Sequence, residues 1–253
     1  MKKTKIRLLS LLLAALALLT ACSGGAFDLT YSDGAYRNAK KEVAFYAAPV
    51  CYRAVSILDN EAAAVLKSDY ADNVVLYAVY GMDTLSWLAD EDFMLYYEDR
   101  ITLPTLRQMN PSYVTLSYVS YPVEISRLES AASLNTLITL YETTPAIPGD
   151  RISSAIPEAR DRYELLFFTK EAQYAGISYS LEYWKFDEEV AVYSRLNADG
   201  TAPDTCPGVT PTIEEVSGER VAVFRLGTGL VYDRSAHCFY PFGSQLEDLF
   251  NND

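Results

Sequence analysis

The sequence predicts an α+β fold dominated by antiparallel β-sheet, with one central helix at about 127–142 and a short C-terminal helix. Three observations lead there. Short runs rich in Val, Ile, Tyr and Phe recur along the chain, the composition that suits a pleated, half-buried surface. Clusters of Gly, Pro, Asn and Asp punctuate them. Regular helical crossovers between the runs are missing, which argues against a doubly wound sheet.

The elements follow in order. Residues 28–36 contain Asp33-Gly34, a hairpin-turn pair. Residues 42–53 read as a strand broken at Pro49. Residues 56–68 suggest a short helix around Glu61-Ala62-Ala63-Ala64, and 73–80 a strand packed on both faces. Asp83 stands as an N-cap ahead of Thr84-Leu85-Ser86-Trp87-Leu88, a short helix. Residues 93–97 form the next strand. Thr102 opens a short helix to Met109, since Pro104 is tolerated in a first turn. Residues 113–123 alternate as a strand. In the central helix Leu134, Leu137, Ile138 and Tyr141 fall on one stripe. Ser126 with Glu129 is its capping-box candidate, and Pro145 and Pro148 stop it.

Successive antiparallel strands are expected at 163–169, 176–186 and 189–196. In the middle one Ile177, Tyr179, Leu181 and Tyr183 share a face, and Ser178, Ser180 and Glu182 share the other. A turn-rich loop runs from Asn197 to Pro211. Residues 220–226 and 229–232 suggest a hairpin across Gly227-Thr228, followed by a strand at 237–240 and a closing helix from Ser244 to Phe250. The loop at 145–160 is a candidate break between two lobes.

The N-terminus carries the strongest motif. Lys2, Lys3, Lys5 and Arg7 precede an almost unbroken Leu/Ala run from Leu8 to Leu19. That run is too short for the ~30 Å hydrocarbon layer, which takes about 20 residues, but it fits a signal-peptide core. It ends in Leu19-Thr20-Ala21-Cys22, which resembles the lipobox of bacterial lipoproteins. The resemblance implies a signal peptide at 1–21, diacylglyceryl transfer to the Cys22 sulfur and cleavage after Ala21. Two acyl chains give stable anchoring, at ~0.8 kcal/mol per buried methylene. Residues 22–32 would then form the lipidated Cys and a flexible tether, and 33–253 the globular domain. The implied location is the extracytoplasmic face of the cell membrane, held through the lipid on Cys22.

Three further stretches resemble a group of small uncharacterised lipoproteins from gut Firmicutes. They are Trp87-Leu88-Ala89 leading to Leu103-Pro104-Thr105-Leu106, the strand Gly176-Ile177-Ser178-Tyr179-Ser180-Leu181, and Val231-Tyr232-Asp233-Arg234. This resemblance supports localisation and implies no mechanism.

Charge excludes some partners. The four basic residues of the leader would leave with it, so that 17 Lys+Arg face 34 Asp+Glu and the net charge moves from −13 to −17. Such a surface repels nucleic acid and anionic headgroups. No cofactor motif and no metal-ligand pattern stands out. His237 is the only histidine, which excludes a multi-histidine metal site and leaves a Ser or Cys nucleophile one possible base. G-x-S-x-G and S-x-x-K are missing from the chain, as is a phosphate loop. With Cys22 acylated, Cys51, Cys206 and Cys238 remain, and Cys206–Cys238 is the candidate disulfide.

Two features point toward ligands. Acid clusters at Asp90-Glu91-Asp92, Glu98-Asp99, Asp187-Glu188-Glu189 and Glu214-Glu215 supply carboxylates of the kind glycosidases pair, although solvated turn acids explain them as well. Tyr183-Trp184 beside Asp187 would suit sugar stacking. Twenty tyrosines serve either as a binding face or as strand residues in place of Val. The expected function is therefore a membrane-anchored, non-enzymatic module that binds a protein, peptide or glycan or plays an envelope-associated role. The alternatives are a carboxylate-dependent glycan hydrolase and, lower, a transporter solute-binding protein.

Overall fold

A computed structural model describes residues 26–40, 42–67, 72–83, 86–119, 121–242 and 245–251. The leader at 1–21 and Cys22 lie outside the described residues. The described chain is mostly β-sheet with only short helices, so the α+β class holds at that level.

The first third closes into a seven-stranded barrel. Its strands are β1 (Phe27–Ser32), β2 (Ala35–Arg37), β3 (Ala44–Ala47), β5 (Ile57–Lys67), β6 (Val74–Val79), β7 (Trp87–Ala89) and β8 (Leu95–Glu98), in the order β1-β2-β3-β8-β7-β6-β5. Asp33 and Gly34, both at positive φ, make the β1–β2 turn. Closure comes from β1 running parallel to β5, Phe27 opposite Ala64 and Thr30 opposite Lys67. Leu29, Phe45, Leu66, Leu76, Leu88 and Tyr96 fill the inside. Residues 27–32, expected as tether, are thus part of the barrel wall.

Two expected helices are strands. Residues 57–67 form β5 despite their alanines, because Ala64 and Leu66 are buried in the barrel and the backbone pairs with β1 on one side and β6 on the other. Ladder pairing and burial outweigh Ala's helix propensity. Trp87-Leu88-Ala89 is β7, every side chain buried, between β6 and β8; Thr84 and Leu85 of the expected helix lie outside the described residues. The expected helix at 102–109 is a single turn, with Thr105 and Gln108 side chains each accepting from the other's backbone N–H.

The second unit is an eight-stranded antiparallel sheet. It comprises β4 (Tyr52–Ala54), β9 (Pro111–Tyr118), β10 (Tyr121–Leu128), β11 (Ile147–Pro148), β12 (Asp161–Thr169), β13 (Ile177–Lys185), β17 (Gly229–Asp233) and β18 (Cys238–Tyr240), in the order β10-β9-β12-β13-β17-β18-β11 with β4 also on β13. The expected strand at 113–123 is in fact a hairpin, β9 turning into β10. A third, small sheet holds β14 (Ala191–Arg195), β16 (Glu219–Arg225) and β15 (Thr212–Val216). The Ser217-Gly218 turn, both at positive φ, joins β15 to β16. Residues 220–226 and 229–232 therefore make no hairpin: Gly227-Thr228 carries the chain from the small sheet to β17 in the large one.

The helix α1 (Ala131–Thr143) starts later than expected and is not central. Ser130, not Ser126, is its N-cap, accepting from the Ser133 N–H, while Ser126 belongs to β10. The predicted stripe is right: Leu134, Leu137 and Ile138 are buried against the sheet. On the outer face Arg107 reaches Glu142, Asn135 and Thr139, tying the helix to the 105–109 turn. Residues 145–160 carry β11 and α2 (Gly149–Ile152), with Ile147 and Ile152 fully buried in the second core. The chain closes with α3 (Gln245–Asn251), Leu246 buried.

β13 joins barrel to sheet. At its start Gly176 takes a hydrogen bond from Val55 N–H and lies against the barrel's Tyr80. A Cβ there would sit 2.5 Å from the Tyr80 carbonyl oxygen and 2.4 Å from Met82 Cγ. Gly176→Ala is expected to destabilise the protein by about 1–3 kcal/mol through overpacking, measured as a lower urea midpoint with unchanged m-value.

Candidate functional site

A cleft of about 400 Å³ follows from the way β13 changes partners. On one edge β13 pairs with β12 along its whole length. On the other it pairs first with β4 (Ser178 opposite Arg53, Tyr179 opposite Tyr52) and then with β17 (Glu182 opposite Tyr232). Between these two partners the Ser180 N–H donates to the Cys51 carbonyl at 2.7 Å. Arg53 from β4, Glu164 from β12, Ser180 and Glu182 from β13, Tyr232 from β17 and Arg234 beyond it line the opening.

Its electrostatics are those of two neighbouring ion pairs. Glu164 and Glu182 stand directly opposite on adjacent strands, a juxtaposition that repels. Each is answered by its own guanidinium. Arg53 Nη1 lies 3.5 Å from Glu164 Oε1, which also accepts from Ser180 Oγ at 2.9 Å. Arg234 donates to Glu182 Oε1, and Trp184 Nε1 to Glu182 Oε2 at 2.8 Å. Glu182 is 7% exposed, and both of its oxygens accept side-chain hydrogen bonds, so neither is left without a partner.

A buried polar network behind the cleft aims Arg234. Asp233, 3% exposed, accepts from the Ser235 and Ala236 N–H groups at 2.8 and 3.0 Å and from the Tyr141 hydroxyl at 2.6 Å. Tyr141 and Tyr179 hydroxyls lie 3.1 Å apart, and Ser235 Oγ accepts from Cys51 N–H. Burial, and for Tyr141 the Asp233 carboxylate too, pushes both phenols well above their ordinary range. Burial likewise raises the Cys51 thiol, so it stays protonated and is a poor nucleophile.

The residues singled out from sequence are dispersed. Tyr183 and Trp184 point to opposite faces of β13, as strand neighbours must, and do not form one stacking platform. Trp184 is on the cleft face but packs under Arg162, whose guanidinium lies 3.9 Å from its ring centroid, and beside Tyr232. Tyr183 is buried on the other face. Cys206 and Cys238 are free thiols: Cys206 sits in the core that includes Phe239, and Cys238, next along β18, packs toward the other core. Burial pushes Cys206 up to about 11. His237 lies in the exposed turn before β18 at positive φ, not on a strand, and its Nδ1 is 2.7 Å from the Tyr232 hydroxyl.

Of the acid clusters, Asp92 lines the ion-pair cleft, and two others meet at Arg225. Asp90 caps the turn to Met94, Glu98 pairs with Arg100, Asp187 with Arg160, and Glu189 and Glu214 share Arg225. Sequence reasoning missed Arg53, Glu164 and Arg234. The one signal was the predicted polar face Ser178–Ser180–Glu182, of which Ser180 and Glu182 line the cleft. Among the described residues no helix is long and apolar enough to cross a membrane. No family model matches the chain, and no curated protein or solved structure is similar to it.

Tyr141→Phe removes the donor to a buried carboxylate while keeping the ring. It is expected to cost about 1–3 kcal/mol, read from equilibrium unfolding at neutral pH.

Proposed function

We propose that the chain is a lipid-anchored extracytoplasmic binding module that takes a short peptide bearing both charges in the cleft of Arg53, Glu164, Glu182 and Arg234. The observation that carries this is the pair of guanidinium–carboxylate couples set side by side on one wall. A ligand carboxylate finds two guanidiniums there, and a ligand ammonium finds two carboxylates. The ligand exchanges with bonds the protein already makes, so the site is preorganised and no strong charge is left bare when it is empty. The anchor rests on the charged leader, the Leu/Ala run and the Leu19-Thr20-Ala21-Cys22 motif. The acidic balance disfavours nucleic acid as partner.

A second reading has one specific support. Glu164 and Glu182 face each other across adjacent strands in the same cleft, with Tyr232 beside them, and paired carboxyls are what glycan hydrolysis needs. The binding reading ranks first because arginine, serine and tryptophan already engage these carboxylates.

Mass spectrometry of the protein from its native membrane is expected to find Cys22 as first residue with its sulfur acylated; retained Met1 and a bare thiol would overturn the anchor. Titration with zwitterionic tetrapeptides is expected to give binding that Glu182→Gln weakens at least tenfold and that high salt weakens further. If instead no tetrapeptide binds and aryl glycosides are cleaved by the parent chain but not by Glu182→Gln, the hydrolase reading replaces the first.

A further inference from the structure

The opposite face of the same sheet holds a second cleft, about 360 Å³, between α3 and strands β9, β10, β12 and β13. Its wall is a row of tyrosines in register. Tyr163 on β12 stands opposite Tyr118 on β9 and opposite Tyr183 on β13. The rings form a ladder, with centroids 5.0 Å apart at 32° and 6.0 Å apart at 21°. Exposure is graded along it, from 3% at Tyr183 to 42% at Tyr118. At the buried end the Tyr183 hydroxyl donates to Glu247 Oε1 at 2.9 Å, and the Lys185 ammonium sits 2.7 Å from the same oxygen. Phe250 of α3 closes the far side.

We propose that this cleft binds a neutral oligosaccharide. A pyranose has apolar C–H faces and a rim of hydroxyls. Half-exposed tyrosines meet the first, as amphipathic rings do at contact surfaces. The fixed Lys185–Glu247 couple meets the second, its ammonium donating to one hydroxyl and its carboxylate accepting from the next. Packing alone would not require a graded ladder of phenols ending on an ion pair; Phe or Val would fill the same space. The volume lies within the range of small-ligand pockets. The ligand is neutral because the chain's net charge of −13 repels a polyanion. Glu247 stays ionised beside it, since Lys185 first and Tyr183 second hold its carboxyl below the usual range. This site is separate from the ion-pair cleft and rests neither on the peptide reading nor on the lipid anchor.

The test is calorimetric titration of the full chain with cellohexaose, chitohexaose and mannohexaose, with hexagalacturonate as the charged comparison. At least one neutral hexaose is expected to bind and hexagalacturonate to bind at least tenfold more weakly. Tyr118→Ala is expected to weaken binding at least tenfold, as is Tyr118→Leu, which keeps apolar volume without a ring and guards against loss of the fold. Lys185→Met is expected to weaken it too, and Tyr193→Ala, at an exposed tyrosine of β14 outside both clefts, to leave it unchanged. The proposal is overturned if no neutral hexaose binds, if hexagalacturonate binds more tightly, or if Glu182→Gln abolishes binding that Tyr118→Leu leaves intact.

Discussion

Strand β13 has a full-length partner on one edge and two consecutive partners on the other, and both of its faces are largely buried. That arrangement constrains everything around it. Because β4 enters the large sheet while its neighbour β3 stays in the barrel, the backbone of residues 48–51 must cross from one unit to the other beside β13. Gly176 permits the close approach at one end of the strand, where no side chain would fit against Tyr80 and Met82. The gap between β4 and β17, midway along the strand at Ser180 and Leu181, becomes the ion-pair cleft. A cleft formed by strand divergence is held open by ladder hydrogen bonds rather than by loops, so its lining residues sit on rigid backbone.

Strand alternation then assigns chemistry to faces. Even positions of β12 and β13 give Glu164, Ser180, Glu182 and Trp184; odd positions give Tyr163, Leu165, Leu181 and Tyr183. One face of the sheet therefore presents charge that is neutralised in pairs, and the other presents aromatic surface bounded by α3. Two surfaces of opposite character follow from one register. A one-residue slip between β12 and β13 would exchange them, which makes the packed pairs Tyr163–Tyr183 and Leu165–Leu181 as important to the clefts as the lining residues are.

Much of this was legible in the chain because period-2 patterns and turn chemistry are local. Asp33-Gly34 announced its hairpin, Leu134, Leu137 and Ile138 announced the buried stripe of a helix, and the polar positions Ser180 and Glu182 announced part of the cleft's lining. What stayed hidden was non-local. The Ala-rich stretch at 57–67 looks helical alone, and only pairing with both β1 and β6 makes it a strand. Trp87 follows a plausible N-cap, yet its burial between β6 and β8 decides its state. Gly227-Thr228 looks like a hairpin turn, but nothing nearby says that β16 pairs with β14 and β15 while β17 pairs with β13. The cleft suffers the same limit: Arg53, Glu164, Glu182 and Arg234 come from four strands or turns whose adjacency only the sheet order supplies.

Pairing along β13 is expected to couple barrel and sheet into one cooperative unit. Native-state hydrogen exchange tests it most directly, through the amides that span the junction at 52–54 and 177–180. Coupling predicts that these exchange only through global unfolding, as slowly as the barrel's own Leu76 and Ala78 amides and with the same denaturant dependence. Exchange at the junction through a separate, lower-energy opening, with the barrel amides still protected, would contradict it.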